Sequence, residues 1–223
     1  KYLFIAGDLV DGIGVYPTQE TQLVTKDIYE QYRGFNELIK QVPDHIHVII
    51  APGNHDAVRT AEPQPALFDE FAMDLKDLPN IHLVGNPAWF EVEGIKTLMY
   101  HGTSMDSLIS SLNAKDGYQH PEKIGIQMLK RRHLAPTYGD KPLVPEARDY
   151  MVIGEAPDIF HFGHVHKNGY ENYRGTFVIN AGTWQDTTDF QKRIGHIPSP
   201  CRFPVYNTKT GSLSVLDFRG DLA

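Results

Sequence analysis

The chain has 223 residues, 41% of them apolar and 22% charged, with a formal net charge of −7. That is enough for one sizeable core of ordinary globular kind, and the acidic balance argues against a broad nucleic-acid-binding surface while leaving room for local phosphate contacts around a bound cation. No apolar run approaches the ~20 residues that span a bilayer, and the lone Cys201 excludes an internal disulfide, argues against a cysteine-based zinc site and fits a reducing, cytoplasmic compartment.

In chain order, Lys1 to Ala6 reads as a core strand that runs into Gly7-Asp8-Leu9-Val10-Asp11. Gly7 permits a sharp turn there, which leaves Asp8 at the strand tip. Asp11 lies one helical turn further on and reads equally as a cap or a ligand. From Thr21 to Val42 the apolar residues Val24, Ile28, Tyr32, Phe35, Ile39 and Val42 recur every three or four positions, which predicts one helix packing on a sheet. The strand His45 to Ala51 follows and ends in Pro52-Gly53-Asn54-His55-Asp56. Strand, helix and strand make a parallel βαβ unit, so Asp8 and Asn54 face the same sheet edge.

The next predicted elements are a helix over 66–75, a strand over 81–84 and a hairpin over 89–100 whose second arm delivers His101-Gly102. A helix follows over 104–112, and another starts at Pro121 and ends in Lys130-Arg131-Arg132-His133. That basic cluster is either a solvated helix end or a contact for the phosphate backbone of DNA. The segment 135–157 is an ordered, proline-rich loop, and Asp158 to Phe162 is a strand that delivers Gly163-His164-Val165-His166. Hairpins are expected over 170–180 and 203–218. Between them, Trp184, Phe190 and the chain to Phe203 show no strong periodicity and read as either a docking loop or a packed one.

The strand-tip side chains Asp8, Asn54, His101, His164 and His166 make a mixed oxygen and nitrogen set. Such a set suits Mn²⁺, Fe²⁺, Zn²⁺ or Ni²⁺ better than Mg²⁺ or Ca²⁺. Two such ions ~3.5–4 Å apart can clamp a phosphate ester and generate hydroxide near neutral pH. His164 and His166 would share a face on a strand and diverge in a turn. His55, beside this set, suits protonation of a leaving alkoxide or stabilisation of charge on the phosphate, with Asp56 as the group that would orient it.

Gly7-Asp8-Leu9-Val10-Asp11, Gly53-Asn54-His55-Asp56, His101-Gly102 and Gly163-His164-Val165-His166 resemble the calcineurin-like metallophosphoesterase family over essentially the whole chain. The resemblance implies an α/β, four-layer αββα metallophosphoesterase sandwich with two divalent ions, manganese foremost. It makes Asp8 the bridging ligand, puts Asn54, His101 and His164 on one ion and His166 on the other, and makes His55 the catalytic histidine. The family also has an Asp-x-His strand ahead of Gly7-Asp8, which is expected upstream of this sequence.

A narrower resemblance runs through Leu129-Lys130-Arg131-Arg132-His133-Leu134-Ala135-Pro136, Ala181-Gly182-Thr183-Trp184-Gln185 and Gln191-Lys192-Arg193. These segments look like the small subunits of archaeal D-family DNA polymerases. That resemblance implies a 3′→5′ proofreading exonuclease, a large catalytic subunit as partner, DNA with a single-stranded or mismatched 3′ end as substrate, contact with a sliding clamp, and an upstream OB-fold domain. The alternatives are another calcineurin-like phosphoesterase, a break-repair nuclease and a non-catalytic polymerase scaffold.

Overall fold

The computed structural model describes residues 1–220 except Lys115 and Asp140, with the side chains of Asp74, Phe190 and Ile194 outside that description. Strand β1 (Tyr2–Ala6) leads through helix α1 (Ile28–Ile39) into β2 (His47–Ala51), and the two strands pair in parallel from Tyr2↔His47 to Ala6↔Ala51. A short helix α2 (Asp69–Ala72) precedes β3 (Ile81–Leu83), which adds to β2 in parallel. The first sheet is therefore β1-β2-β3 with all strand tips at one edge.

The second sheet is larger. It comprises β4 (Ala88–Val92), β5 (Ile95–Tyr100), β6 (Ile159–Phe162), β7 (Asn168–Tyr173) and β8 (Thr176–Ala181) in the order β4-β5-β6-β8-β7. Its central strands β5, β6 and β8 are parallel, and antiparallel hairpins close both flanks. Helices α3 (Met105–Ser111) and α4 (Pro121–Arg131) connect β5 to β6, α5 (Asp189–Ile194) follows β8, and β9 (Arg202–Asn207) with β10 (Ser212–Asp217) form a separate hairpin.

Alternation along the strands builds the layers, because successive residues point to opposite faces. Val48 and Ile50 pack with Ile39 and Phe35 beneath α1, whereas Ile49 and Ala51 face Met99 and Phe90 of the other sheet. On the second sheet Leu98, Tyr100, Phe160 and Phe162 pack beneath α3 and α4. The layers run helix, sheet, sheet, helix. Gly125 lets α4 lie close to its sheet, since a Cβ there would come within 2.7 Å of Phe162 and Val178.

Three boundaries differ from the sequence expectation. Helix α1 starts at Ile28, not Thr21, because Asp27 caps it by accepting the Glu30 N–H, and Val24 stays 98% exposed in the preceding loop. The helix expected over 66–75 shrinks to α2 and a 3₁₀ turn, broken by Met73 at φ 45°. The segment after Trp184, expected to be irregular, contains α5. Its start is a capping box, in which Thr188 and Gln191 satisfy each other's backbone N–H groups. Among the described residues no helix is long and apolar enough to cross a membrane.

Candidate active site

The turns after β1 and β2 are held together by one buried carboxylate. Asp56 accepts N–H bonds from Asp8 (2.9 Å), Leu9 (3.3 Å) and Gly53 (2.7 Å), and the Tyr32 hydroxyl from α1 (2.9 Å). Burial and the Asp8 charge push its carboxyl up to about 6, against the pull of those donors. Asp56 therefore does not orient His55, as its adjacency in sequence suggested. The orienting group is the Asp11 main-chain carbonyl, which accepts His55 Nδ1–H at 2.7 Å and leaves Nε2 for the cleft. The Asp11 carboxylate caps no helix here, lines the cleft and accepts from Gln185 Nε2 at 2.8 Å.

Gly53 is required by close approach. A Cβ there would lie 2.3 Å from Asp8 Oδ1 and 2.6 Å from the His101 ring. Gly7 and Asp8 both adopt positive φ, 88° and 55°, which turns the Asp8 side chain back toward the tips of the second sheet.

Four predicted residues meet at those tips. His101 donates Nδ1–H to the Ala6 carbonyl (2.7 Å), so its Nε2 is bare. His164 donates Nε2–H to Asp106 (2.9 Å), so its Nδ1 is bare. The two bare nitrogens are 3.3 Å apart and lie 2.9 and 3.0 Å from Asn54 Oδ1. Asp8 Oδ2 is 3.4 Å from His101 Nε2. Asp8, His101 and His164 form a group whose ligand atoms all lie within 4.8 Å of one another. Lone pairs converging on one point in a buried site require a positive charge between them, so the donor set fits a divalent transition-metal cation.

Without a cation, a proton must fill that place. Burial alone would lower the His101 pKa, but the adjacent Asp8 carboxylate outweighs it and pushes the imidazole up to about 9. The same pair holds Asp8 well below the usual carboxylate range, against its own burial. His101 is raised on folding, so in the metal-free protein its contribution is fully present below pH about 6.5 and is lost as pH rises through about 9, whereas the contribution of the lowered Asp8 is lost as pH falls below the usual carboxylate range. A cation must expel that proton. Binding of a divalent transition-metal cation is therefore expected to release about one proton at pH 7.5 and to tighten as pH rises. Calorimetry in two buffers of different ionisation enthalpy checks this, and binding without proton release would contradict it.

His166 takes a separate position. Both histidines sit in the turn after β6 with positive φ, 68° for His164 and 54° for His166, so they diverge. His166 Nδ1 accepts from Gln191 Nε2 at 2.7 Å, and burial pushes its imidazole down to about 4. It lines the same cleft of about 560 Å³ as Asp8, Asn54, His55 and His164.

Sequence reasoning missed Asp106, the partner of His164, which also accepts from Tyr118 (3.1 Å) and Lys141 (3.4 Å). It fixes which His164 nitrogen carries the proton. Asp106→Ala is expected to weaken binding of a divalent cation 10- to 100-fold, about the usual cost of removing such a support. Equilibrium dialysis at fixed pH checks this.

Residues 10–169 match a family model, that of the B subunits of DNA polymerases alpha and epsilon. The chain belongs to this family. It is 50% identical over 208 residues to the DNA polymerase II small subunit of Methanocaldococcus jannaschii, covering 93% of this chain and 35% of that protein. It is 47% identical over 224 residues to the same-named protein of Archaeoglobus fulgidus, covering 99% and 45%. The chain thus spans less than half the length of these relatives. Among solved structures, an archaeal phosphodiesterase aligns with a TM-score of 0.40 at 14% identity, covering 96% of each chain.

In this member of the B-subunit family the basic cluster stands apart from the cleft. Lys130 to Arg132 close the C-terminal end of α4, whereas the helix's other end, at Pro121, adjoins Gly169 beside the strand tips. Lys130 lies over the Tyr173 ring at 5.6 Å, and Arg132 caps the Ile153 and Gly154 carbonyls. Trp184 is exposed and packs its ring near Phe203 and Phe218 at 6.4 and 5.8 Å, while the Phe190 side chain is outside the described residues.

Proposed function

We propose that this chain is the phosphodiesterase portion of an archaeal DNA polymerase small subunit and releases nucleotides from the 3′ end of DNA. The observation that carries the reading is the convergence of Asp8, Asn54, His101 and His164 on one point beside an oriented His55. The matched polymerase family and the archaeal small subunits supply the DNA context.

In this reading Asp8, Asn54, His101 and His164 hold one divalent ion, manganese by preference, and His166 with Asp8 contributes to a second. When bound there, such ions would lower the pKa of a bound water to about 7 and neutralise phosphate charge. Asp106 and the Ala6 carbonyl keep the ligating nitrogens of His164 and His101 bare. His55 gives a proton to the O3′ of the penultimate sugar as its bond to phosphorus breaks. Water supplies the new oxygen on phosphorus, and the terminal residue leaves as a 5′-monophosphate. The small subunit works with a large polymerase subunit, which completes the enzyme.

The test uses the full-length protein and a single strand labelled at its 5′ end. Mononucleotide release that needs Mn²⁺ and stops with EDTA is the expected result. Hydrolysis of simple monoesters with no attack on DNA would overturn the reading.

A further inference from the structure

The cleft has one wall unlike the rest. Elsewhere the lining is mostly carboxylates, imidazoles and amides, with Val165 and with Tyr118, whose hydroxyl is given to Asp106, but the loop between β1 and α1 presents Val15, Tyr16 and Leu23 together to the same space. A phosphate ester by itself gives such a wall nothing to bind.

The loop is built to hold that wall in place. Gln19 is buried to 2% exposure and staples the loop from inside, accepting from the Val15 N–H (2.8 Å) and donating to the Asp11 carbonyl (2.7 Å). Gln31 of α1 accepts from the Gly12 N–H (2.9 Å) and donates to the Thr25 carbonyl (2.8 Å). Gly12, at φ 72°, packs so closely that a Cβ would meet the His55 carbonyl at 2.4 Å. Tyr16 donates its hydroxyl to Gln22 (3.3 Å), which tethers the tip of the side chain. The half-buried ring stands 6.5 Å from the His55 imidazole, at 57° to it.

We infer that Tyr16, flanked by Val15 and Leu23, is a platform on which a nucleobase next to the scissile phosphate stacks. A flat π-face joined to a phosphodiester is the chemistry of a nucleotide, and a rigid aromatic side chain next to the phosphate site matches it. Every base has such a face, so the platform favours nucleic acid over simple phosphodiesters without selecting a sequence. The inference rests on the phosphodiesterase reading above and specifies its substrate side.

The experiment compares the full-length wild type with Tyr16→Ala and Tyr16→Phe on two strands in Mn²⁺. One strand is intact, and the other lacks the bases of its last two residues. The expected result is that the wild type cleaves the intact strand about 10- to 100-fold faster than the abasic one, the scale of one lost stack. Tyr16→Ala should lose that advantage by slowing only the intact strand, and Tyr16→Phe should keep it. Equal slowing of both strands by Tyr16→Ala would overturn the platform, because it would show only a loop displaced from His55.

A second measurement needs no chemistry. An intact strand with 2-aminopurine at its 3′ end should be quenched on binding the wild type and not on binding Tyr16→Ala. Quenching without nucleotide release would keep the platform and remove the nuclease reading. Nucleotide release with identical quenching by both proteins would do the reverse.

Discussion

His55→Ala is expected to lower 3′-end nucleotide release by 10²- to 10⁴-fold, the usual contribution of a positioned general acid. Mn²⁺ affinity should stay within about 3-fold of wild type, because the imidazole touches the Asp11 carbonyl and not the converging acceptors. The two readouts together matter. A ligand would lose metal and activity in parallel, whereas a proton donor loses activity alone. The main-chain N–H of His55, which donates to Asp8 Oδ1 at 3.0 Å, survives the substitution and keeps Asp8 in place. Single-turnover rates at saturating Mn²⁺, with metal affinity measured in parallel, decide it. Unchanged hydrolysis in His55→Ala would remove this residue from the chemistry.

Asp56→Asn should produce the largest loss of stability in the site. One carboxylate there satisfies main-chain donors on two turns and the hydroxyl of a fully buried Tyr32. An amide keeps one acceptor oxygen and turns two N–H donors toward groups that are themselves donors. Each buried donor left unpaired costs ~1–3 kcal/mol, so about 3 kcal/mol is expected in urea unfolding of the metal-free protein. Metal affinity should fall too, because the Gly53 turn that positions Asn54 and the Asp8 main chain lose their common anchor. A variant as stable as wild type would show that the two turns hold their shape without this carboxylate.

Much of this site can be read in the residues. The apolar runs before Gly7, Pro52, His101 and Gly163 end where β1, β2, β5 and β6 end, and the parallel pairing brings their tips to shared edges. What escapes is set by distance in the chain or by short-range competition. Asp106 is 58 residues from His164, and its own helix gives it no mark. Asp56 sits next to His55, but the turn sends its carboxylate back to nearby N–H groups, which satisfy it better than an imidazole already held by a carbonyl. Helix α5 is too short for periodicity to reveal. Its mark is Thr188-x-x-Gln191, the capping box, and that same Gln191 also reaches His166. The start of α1 is legible in Asp27 with Glu30 three residues on, a cap that outranks the periodicity continued through Val24.

The most direct test of the proposed metal centre is a crystal of the protein soaked in Mn²⁺, with anomalous diffraction recorded at the manganese edge. An anomalous peak bounded by Asp8, Asn54 Oδ1, His101 Nε2 and His164 Nδ1 is the predicted result. An ordered site with no peak, and His101 still bonded directly to Asn54, would contradict it and leave the converging side chains as a proton-bridged structural network.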